Sequence, residues 1–189
     1  MIELRSVTKT YGGAACIHKL SLTLEPGGLY CVTGPSGSGK TTLLRLIMGL
    51  EKPDSGEIIT NGADFGVMFQ EDRLLEGFDA ADNLRLALGI KSRPAARREL
   101  PELLEEDALD KPVGKLSGGQ RRRIALVRAM VLRRSCYLLD EPFAGLDAES
   151  AARALEYIRR MARGSAVLMA LHEKDIPADV RRVIRLNNQ

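Results

Sequence analysis

Short apolar runs divide this chain, and each stops at a polar residue or a glycine turn. Leu29 to Val32, Phe65 to Phe69, Ser135 to Leu139 and Ala166 to Leu171 have strand length and no helical period, which predicts buried strands. Ile2 to Val7 and Ile17 to Leu24 alternate like half-buried strands, with Tyr11-Gly12-Gly13 as the turn between them and Tyr11 therefore on a loop. Glu25-Pro26-Gly27-Gly28 is a second turn, Glu57 to Thr60 a short strand, and Val180 to Leu186 a last one. Helical patterns lie between the runs. Leu43-Leu44-x-Leu46-Ile47 follows the first buried strand, and Asp79 to Leu88 and Arg97 to Glu106 are separated by Ser92-Arg93-Pro94. Arg121 to Arg133 carries Ile124, Val127, Met130 and Val131 on its apolar side, and a helix after Asp147 carries Ala151, Leu155, Ile158 and Ala162, ending near Gly164. This alternation predicts an α/β fold: a mixed sheet flanked by helices, an N-terminal antiparallel β portion, and a small helical insert over residues 71–116.

The chemistry collects where strands end. Gly34-Pro35-Ser36-Gly37-Ser38-Gly39-Lys40-Thr41-Thr42 joins a buried strand to a helix and fits the spacing G-x-x-x-x-G-K-[ST]. In such a loop the backbone N–H groups turn inward on a polyphosphate and the helix start adds its positive end. Lys40 is placed for the β- and γ-phosphates and the Thr41 hydroxyl for Mg²⁺, which makes the sheet a P-loop NTPase core. A Gly/Ser-rich linker needs neither the strand before nor the helix after. Gln70, Asp140-Glu141 and His172 each follow an apolar run, and ligands of α/β sheets bind outside the carboxyl ends of the strands. Of the adjacent carboxylates, one suits Mg²⁺ and the other the proton of an attacking water. A neutral His172 could bond a γ-phosphate, and Gln70 either reaches a ligand or only opens a loop. Leu116-Ser117-Gly118-Gly119-Gln120 puts two glycines at the start of a long helix, a second anion-binding terminus. Asp147 reads equally as the N-cap of the next helix, and Tyr11 as a stacking platform for a base or as an ordinary loop tyrosine.

Composition narrows the setting. The 189 residues are 44% apolar, enough for one large domain with its own core, so residues 1–189 are taken as a single domain. The net charge is +3 with both signs interspersed, which argues against a nucleic-acid partner. Arg121-Arg122-Arg123, Arg133-Arg134 and Arg181-Arg182 read as solvated edges, or else as a face for an acidic partner. The three cysteines form no C-x-x-C pair, and Cys31 and Cys136 fall inside buried runs, as expected for free thiols in a reducing compartment. No stretch approaches ~18 consecutive apolar residues, so a cytoplasmic location is expected, with membrane contact only through a partner.

In order, the phosphate loop, Gln70, Leu-Ser-Gly-Gly-Gln at 116–120, Cys-Tyr-Leu-Leu-Asp-Glu at 136–141, Gly-Leu-Asp at 145–147 and His172 resemble the ATP-binding cassette (ABC) ATPases from end to end. The resemblance implies an ATPase that uses ATP and Mg²⁺. It implies a homodimer formed on ATP binding, with each ATP between the phosphate loop of one chain and the 116–120 stretch of the other. Carried over by motif, Glu141, His172 and Gln70 are catalytic, and Thr41, Gln70 and Asp140 hold the metal. Tyr11 and Gly34 through Thr42 bind ATP in cis; Ser117, Gly118, Gly119, Gln120 and Asp147 complete the partner's site. The role implied is the energy-coupling subunit of a transporter, held at the inner face of the membrane by a permease, with a solute-binding protein if it imports. The alternative is a soluble cassette ATPase acting on DNA or ribosomes, but the long inserts or second cassette of those relatives are not in this sequence. Phe69-Gln70-Glu71-Asp72-Arg73-Leu74-Leu75 weakly resembles the nitrate- and sulfonate-type importer branch, with Glu76-Gly77 where Pro-Trp is common there. Residues Glu173 to Asp179, with Pro177, are not expected to form the helix usual at that place.

Overall fold

The computed structural model describes residues 1–89 and 92–187. Its strands are β1 (Ile2–Tyr11), β2 (Ala14–Leu24), β3 (Leu29–Thr33), β4 (Ser55–Ile59), β5 (Phe65–Met68), β6 (Cys136–Asp140), β7 (Ala166–Ala170) and β8 (Arg182–Arg185). Its α-helices are α1 (Lys40–Ile47), α2 (Ala80–Leu88), α3 (Arg93–Arg98), α4 (Gly118–Met130) and α5 (Ala148–Ala162). The chain falls into two compact units: Met1–Gly66 with Arg134–Glu141 and Gly164–Gln189, and Val67–Arg133 with Pro142–Arg163.

In the first unit, β2, β1 and β4 form an antiparallel three-stranded sheet. The second sheet has the order β5-β6-β7-β3-β8, with β6 parallel to β7 and β3 parallel to both β7 and β8. Strands β6 and β7 are buried at every position, as expected of parallel strands covered on both faces. One apolar cluster joins the two sheets and α1: Leu4, Ile17 and Leu24 pack with Leu43, Leu46, Ile47, Leu138, Leu168 and Ile184. Register then decides where the polar ends fall. Asp140 and Val32 both pair with Ala170, and Thr33 pairs with Arg185, so Gly34, Glu141 and the residues after Ala170 leave the sheet along one edge.

In the second unit α2 packs on α3 and α4, and α4 on α5, around Leu84, Leu100, Leu104, Ile124, Val127 and Ile158. Each of these helices starts at a side-chain cap: Asp79 for α2, Ser92 for α3, Ser117 for α4 and Asp147 for α5.

Several expectations are corrected. The helix expected over Arg97–Glu106 runs instead over Arg93–Arg98, because Pro94 fits the first turn, where no N–H is needed. Pro101 restricts the residue before it, and the chain continues in turns to a short 3-10 helix at Glu106–Ala108. Tyr11 is the last residue of β1, paired with Ala14, and not a loop residue. Helix α4 begins at Gly118 instead of Arg121, with both glycines in its first turn. The buried face of α5 is Ala154, Tyr157, Ile158 and Ala162; Ala151 and Leu155 lie at its margin. Arg122 and Arg123 are not solvated: they are 4% and 8% exposed, paired with Asp72 and Glu105. Only a 3-10 turn, Glu173–Asp175, follows His172, in line with the expectation for that segment.

All three cysteines are free, and they differ in burial. Burial pushes the Cys31 and Cys136 thiols up to about 12, while Cys16 is half-buried with its Sγ donating to the Lys9 carbonyl at 3.4 Å. Alkylation of the native protein at pH 8 should therefore label Cys16 well before the other two, and all three together only in denaturant, as read by intact mass. Equal native labelling of Cys31 or Cys136 would contradict the strand placement.

Candidate functional site

Of the five α-helices described, α1 alone begins without a side-chain cap. Its N-cap is Gly39, with φ +96°, and no acidic residue lies in its first turn. The N–H groups of that turn meet no side-chain acceptor, which leaves a positive helix end facing the loop. Gly34 at the other end of the loop has φ +155°, and a Cβ there would lie 2.2 Å from the Leu186 carbonyl oxygen. Only glycine fits. Pro35, Ser36 and Gly37 are exposed at the tip, and Ser38 is buried beneath them. The Lys40 ammonium is folded onto its own loop, donating to the carbonyls of Gly34 at 2.7 Å and Pro35 at 3.1 Å. It is thus held at the loop mouth by weak neutral acceptors, which a phosphate oxygen outcompetes.

The neighbouring strand ends supply the rest of this edge. The Thr41 hydroxyl donates to Asp140 Oδ2 at 2.7 Å, joining the start of α1 to the end of β6. Glu141 follows with φ +51°, a left-handed conformation that costs a non-glycine residue energy and is common where function constrains the backbone. Its N–H donates to the Ala170 carbonyl at 2.9 Å, and its Oε1 lies 3.5 Å from His172 Nε2. The fold therefore brings Lys40, Thr41, Asp140, Glu141 and His172 together along one edge. Tyr11 donates to the Glu51 carboxylate, which pushes its phenol pKa upward against a weaker contact from Thr42. Its ring is half exposed, with the Lys9 ammonium 5.5 Å from the ring centroid.

The second unit holds its own groove, about 600 Å³, where Gln70, Ser117, Gly118, Gly119, Gly145 and Asp147 meet Arg122 and Arg123. Ser117 and Gln120 form a reciprocal capping box: Ser117 Oγ accepts from the Gln120 N–H at 3.2 Å, and Gln120 Oε1 accepts from the Ser117 N–H at 3.0 Å. A hydroxyl that accepts in its cap still has a proton to donate outward. Asp147 caps α5, accepting from the Ser150 N–H and hydroxyl, and these bonds hold its carboxyl below the usual range. A Cβ on Gly119 would sit 3.3 Å from the Gly145 carbonyl oxygen, so the two loops approach closely there.

Sequence reasoning missed three residues that shape this groove and its approach. Arg122 and Arg128 bond backbone carbonyls more than fifty positions earlier, and Asn83 bonds the backbone around Leu75. Nothing local marks them, since each looks like a polar position on a helix.

The sequence profile described as ABC transporter matches residues 17–144. This chain belongs to the ABC transporter family. The ABC chain is 37% identical to the sulfate/thiosulfate import ATP-binding protein CysA of Methylococcus capsulatus, over 98% of its own length and 60% of that protein. It is 34% identical to the spermidine/putrescine import ATP-binding protein PotA of Mesoplasma florum, over 99% and 59%. It thus spans about three-fifths of the length of these curated relatives. Among solved structures, a dimeric ATP-binding cassette in a post-hydrolysis state bound to ADP and Pi matches with a TM-score of 0.84 at 29% identity, covering 98% of this chain and 94% of that one. The α/β cassette fold of the ABC ATPases is accordingly the fold of this chain.

Proposed function

We propose that this chain is the ATP-hydrolysing subunit of an ABC transporter: one nucleotide-binding domain over residues 1–189, with residues 71–116 as its helical subdomain, driving solute through a partner permease. The observation that carries the reading is the sheet edge itself, where the uncapped start of α1, the Thr41–Asp140 contact and the strained Glu141 beside His172 leave neighbouring strands. Tyr11 stacks on the base. The loop Gly34 through Thr42 takes the polyphosphate on its backbone N–H groups, Pro35 having none, and Lys40 exchanges its two carbonyls for the β- and γ-phosphates. The oxygens of Thr41 and Asp140 suit Mg²⁺, and the motif resemblance alone adds Gln70 to them. No cluster of three or more His, Cys, Asp or Glu side chains fit for a metal occurs among the described residues. When bound, the ion neutralises charge on the phosphate oxygens.

Glu141 accepts the proton of the attacking water as its oxygen bonds to the γ-phosphorus. The bond from that phosphorus to the β,γ-bridging oxygen breaks, releasing ADP and phosphate. His172 bonds the γ-phosphate, and its place beside Glu141 keeps both groups on the reacting atoms. A second copy supplies Ser117, Gly118, Gly119, Gln120 and Asp147 to the open side of the nucleotide. The outward hydroxyl of Ser117 and the start of α4 are suited to a phosphate.

The relatives are named for sulfate/thiosulfate and for spermidine/putrescine, an anion and a polycation, at similar identity. Cargo selection is therefore assigned to the permease, and to a solute-binding protein if the system imports. None of the described helices is long and apolar enough to cross a membrane, so docking to a permease at the inner face accounts for membrane attachment. Leu75 and Phe78 are 48% and 46% exposed, on a segment after Gln70 that Asn83 braces by accepting from the Leu75 N–H at 2.7 Å and donating to the Leu75 carbonyl at 3.1 Å. Exposed apolar side chains on a braced backbone suit the anchor of an interface.

Glu141→Gln should keep ATP binding, lower turnover by ~10²–10⁴-fold and accumulate an ATP-bound dimer by gel filtration. Hydrolysis near the wild-type rate would remove Glu141 from the base role. Lys40→Ala and Ser117→Arg homodimers should each be inactive, whereas their mixture should regain part of the activity, because a heterodimer holds one intact shared site. No recovery with heterodimers verified by pull-down would rule out shared sites. Leu75→Asp or Phe78→Asp should abolish co-purification with a membrane partner while melting temperature and ATP binding stay near wild type. A lowered melting temperature would place these side chains in packing instead.

A further inference from the structure

Within the second unit, the segment Phe69–Arg73 has no regular secondary structure, yet its backbone is held at four successive or near-successive carbonyls by one helix. Arg122, in the second turn of α4 and 4% exposed, donates through Nη1 to the Phe69 carbonyl at 3.0 Å, the Gln70 carbonyl at 2.9 Å and Asp72 Oδ1 at 2.8 Å. Arg128, almost two turns on, donates to the Asp72 carbonyl at 2.5 Å and the Arg73 carbonyl at 2.7 Å. The segment also closes on itself: Arg73 has φ +49°, and its guanidinium lies 4.1 Å from the centroid of the Phe69 ring. A guanidinium is suited to this work because it presents several donors in one rigid plane and stays charged at all relevant pH values. Helix α4 is the element that Ser117 caps and whose first turn carries Gly118 and Gly119.

We infer that Arg122 and Arg128 are positioning residues that fasten Gln70 to the helix opened by Ser117–Gly119, so that the two move as one rigid piece. This rests on the proposed roles of Gln70 and of the α4 start at nucleotide. A displacement of the α4 start by an anion is then carried directly to Gln70, and Gln70 cannot leave its place without α4. The exposed Leu75 and Phe78 follow the clamped segment by a few residues, so a force on that patch reaches the same helix. Charge–carbonyl bonds in a mostly buried setting are among the stronger hydrogen bonds, which is why two of them per arginine suffice to hold an irregular segment.

The test is hydrogen exchange on the full chain, read by mass spectrometry, for wild type, Arg122→Gln and Arg128→Gln, without nucleotide and with a non-hydrolysable ATP analogue and Mg²⁺. Without nucleotide, exchange over residues 69–73 should be about tenfold or more faster in each variant, while residues 34–41 and 118–130 keep wild-type rates. With the analogue, residues 69–73 and 117–121 of the wild type should change protection together, and only 117–121 should change in the variants. Turnover should fall through kcat, with KM for ATP unchanged, since the phosphate loop is untouched. Wild-type exchange over 69–73 in both variants would overturn the clamp. If Arg122→Gln does not fold, Arg128→Gln alone decides, because Arg128 is less buried and its carbonyl bonds can be lost singly. Failure of the nucleotide reading shows separately, as no protection of residues 34–41 in the wild type, and leaves the nucleotide-free comparison to judge the clamp.

Discussion

The start of α1 is the constraint around which the first unit is built. Four other helices begin with an Asp or Ser that accepts from their first turn, and this one begins with a left-handed glycine and nothing acidic. An uncapped, partly enclosed helix end holds unsatisfied N–H groups and positive potential, which is unfavourable until an anion arrives. The loop that precedes it contributes more of the same, since Gly34 and Gly39 take backbone conformations closed to other residues at that spacing. A capping side chain would stabilise α1 by about 1 kcal/mol and would fill the place proposed for the phosphate. Stability is given up at the helix whose proposed role needs an open end.

A second theme is charge turned inward. Arg122 and Arg123, from a basic run, and Arg128 look like solvent-facing residues, and the fold uses them to hold irregular backbone and two carboxylates, Asp72 and Glu105. Burial pushes the Glu105 carboxyl up, but its backbone hydrogen bond and its bonds from Gln120 and Arg123 outweigh that and hold it below the usual range. Asp64 does similar work in the first unit. It accepts from the Ser135 hydroxyl and N–H and from Arg134, which hold it well below the usual carboxylate range and tie the approach to β5 to the approach to β6. Because the Asp64 side chain is half exposed, its contribution is geometric more than energetic.

Strain appears where the chemistry is assigned. Glu141 takes a positive φ immediately after a fully buried strand, where the ladder holds Asp140 in register with Ala170 and the Glu141 N–H bonds the Ala170 carbonyl. Such a conformation costs roughly 1–3 kcal/mol and persists because the buried strand over-determines it. Its effect is to turn the carboxylate along the sheet edge toward His172 and away from the path an extended strand would give it.

What the sequence determined by itself is the set of local features. Strand and helix periods, the glycine loop and the polar residues that end each apolar run depend on neighbours a few positions away, so the α/β architecture and the residues at the sheet edge are legible from the amino-acid order alone. Local rules also misplaced what lay within their reach but had two readings: Pro94 divides helices or opens one, and here it opens α3. Tertiary structure alone decided which charges are buried. Arg122 finds its acceptors 53 and 52 positions earlier, and a helical period says only that a residue lies off the apolar stripe, not what another segment brings against it. The same holds for Thr41 and Asp140, 99 positions apart, one foreseen in the glycine loop and the other as a polar strand end, and joined only because parallel strands bring their carboxyl ends to one edge.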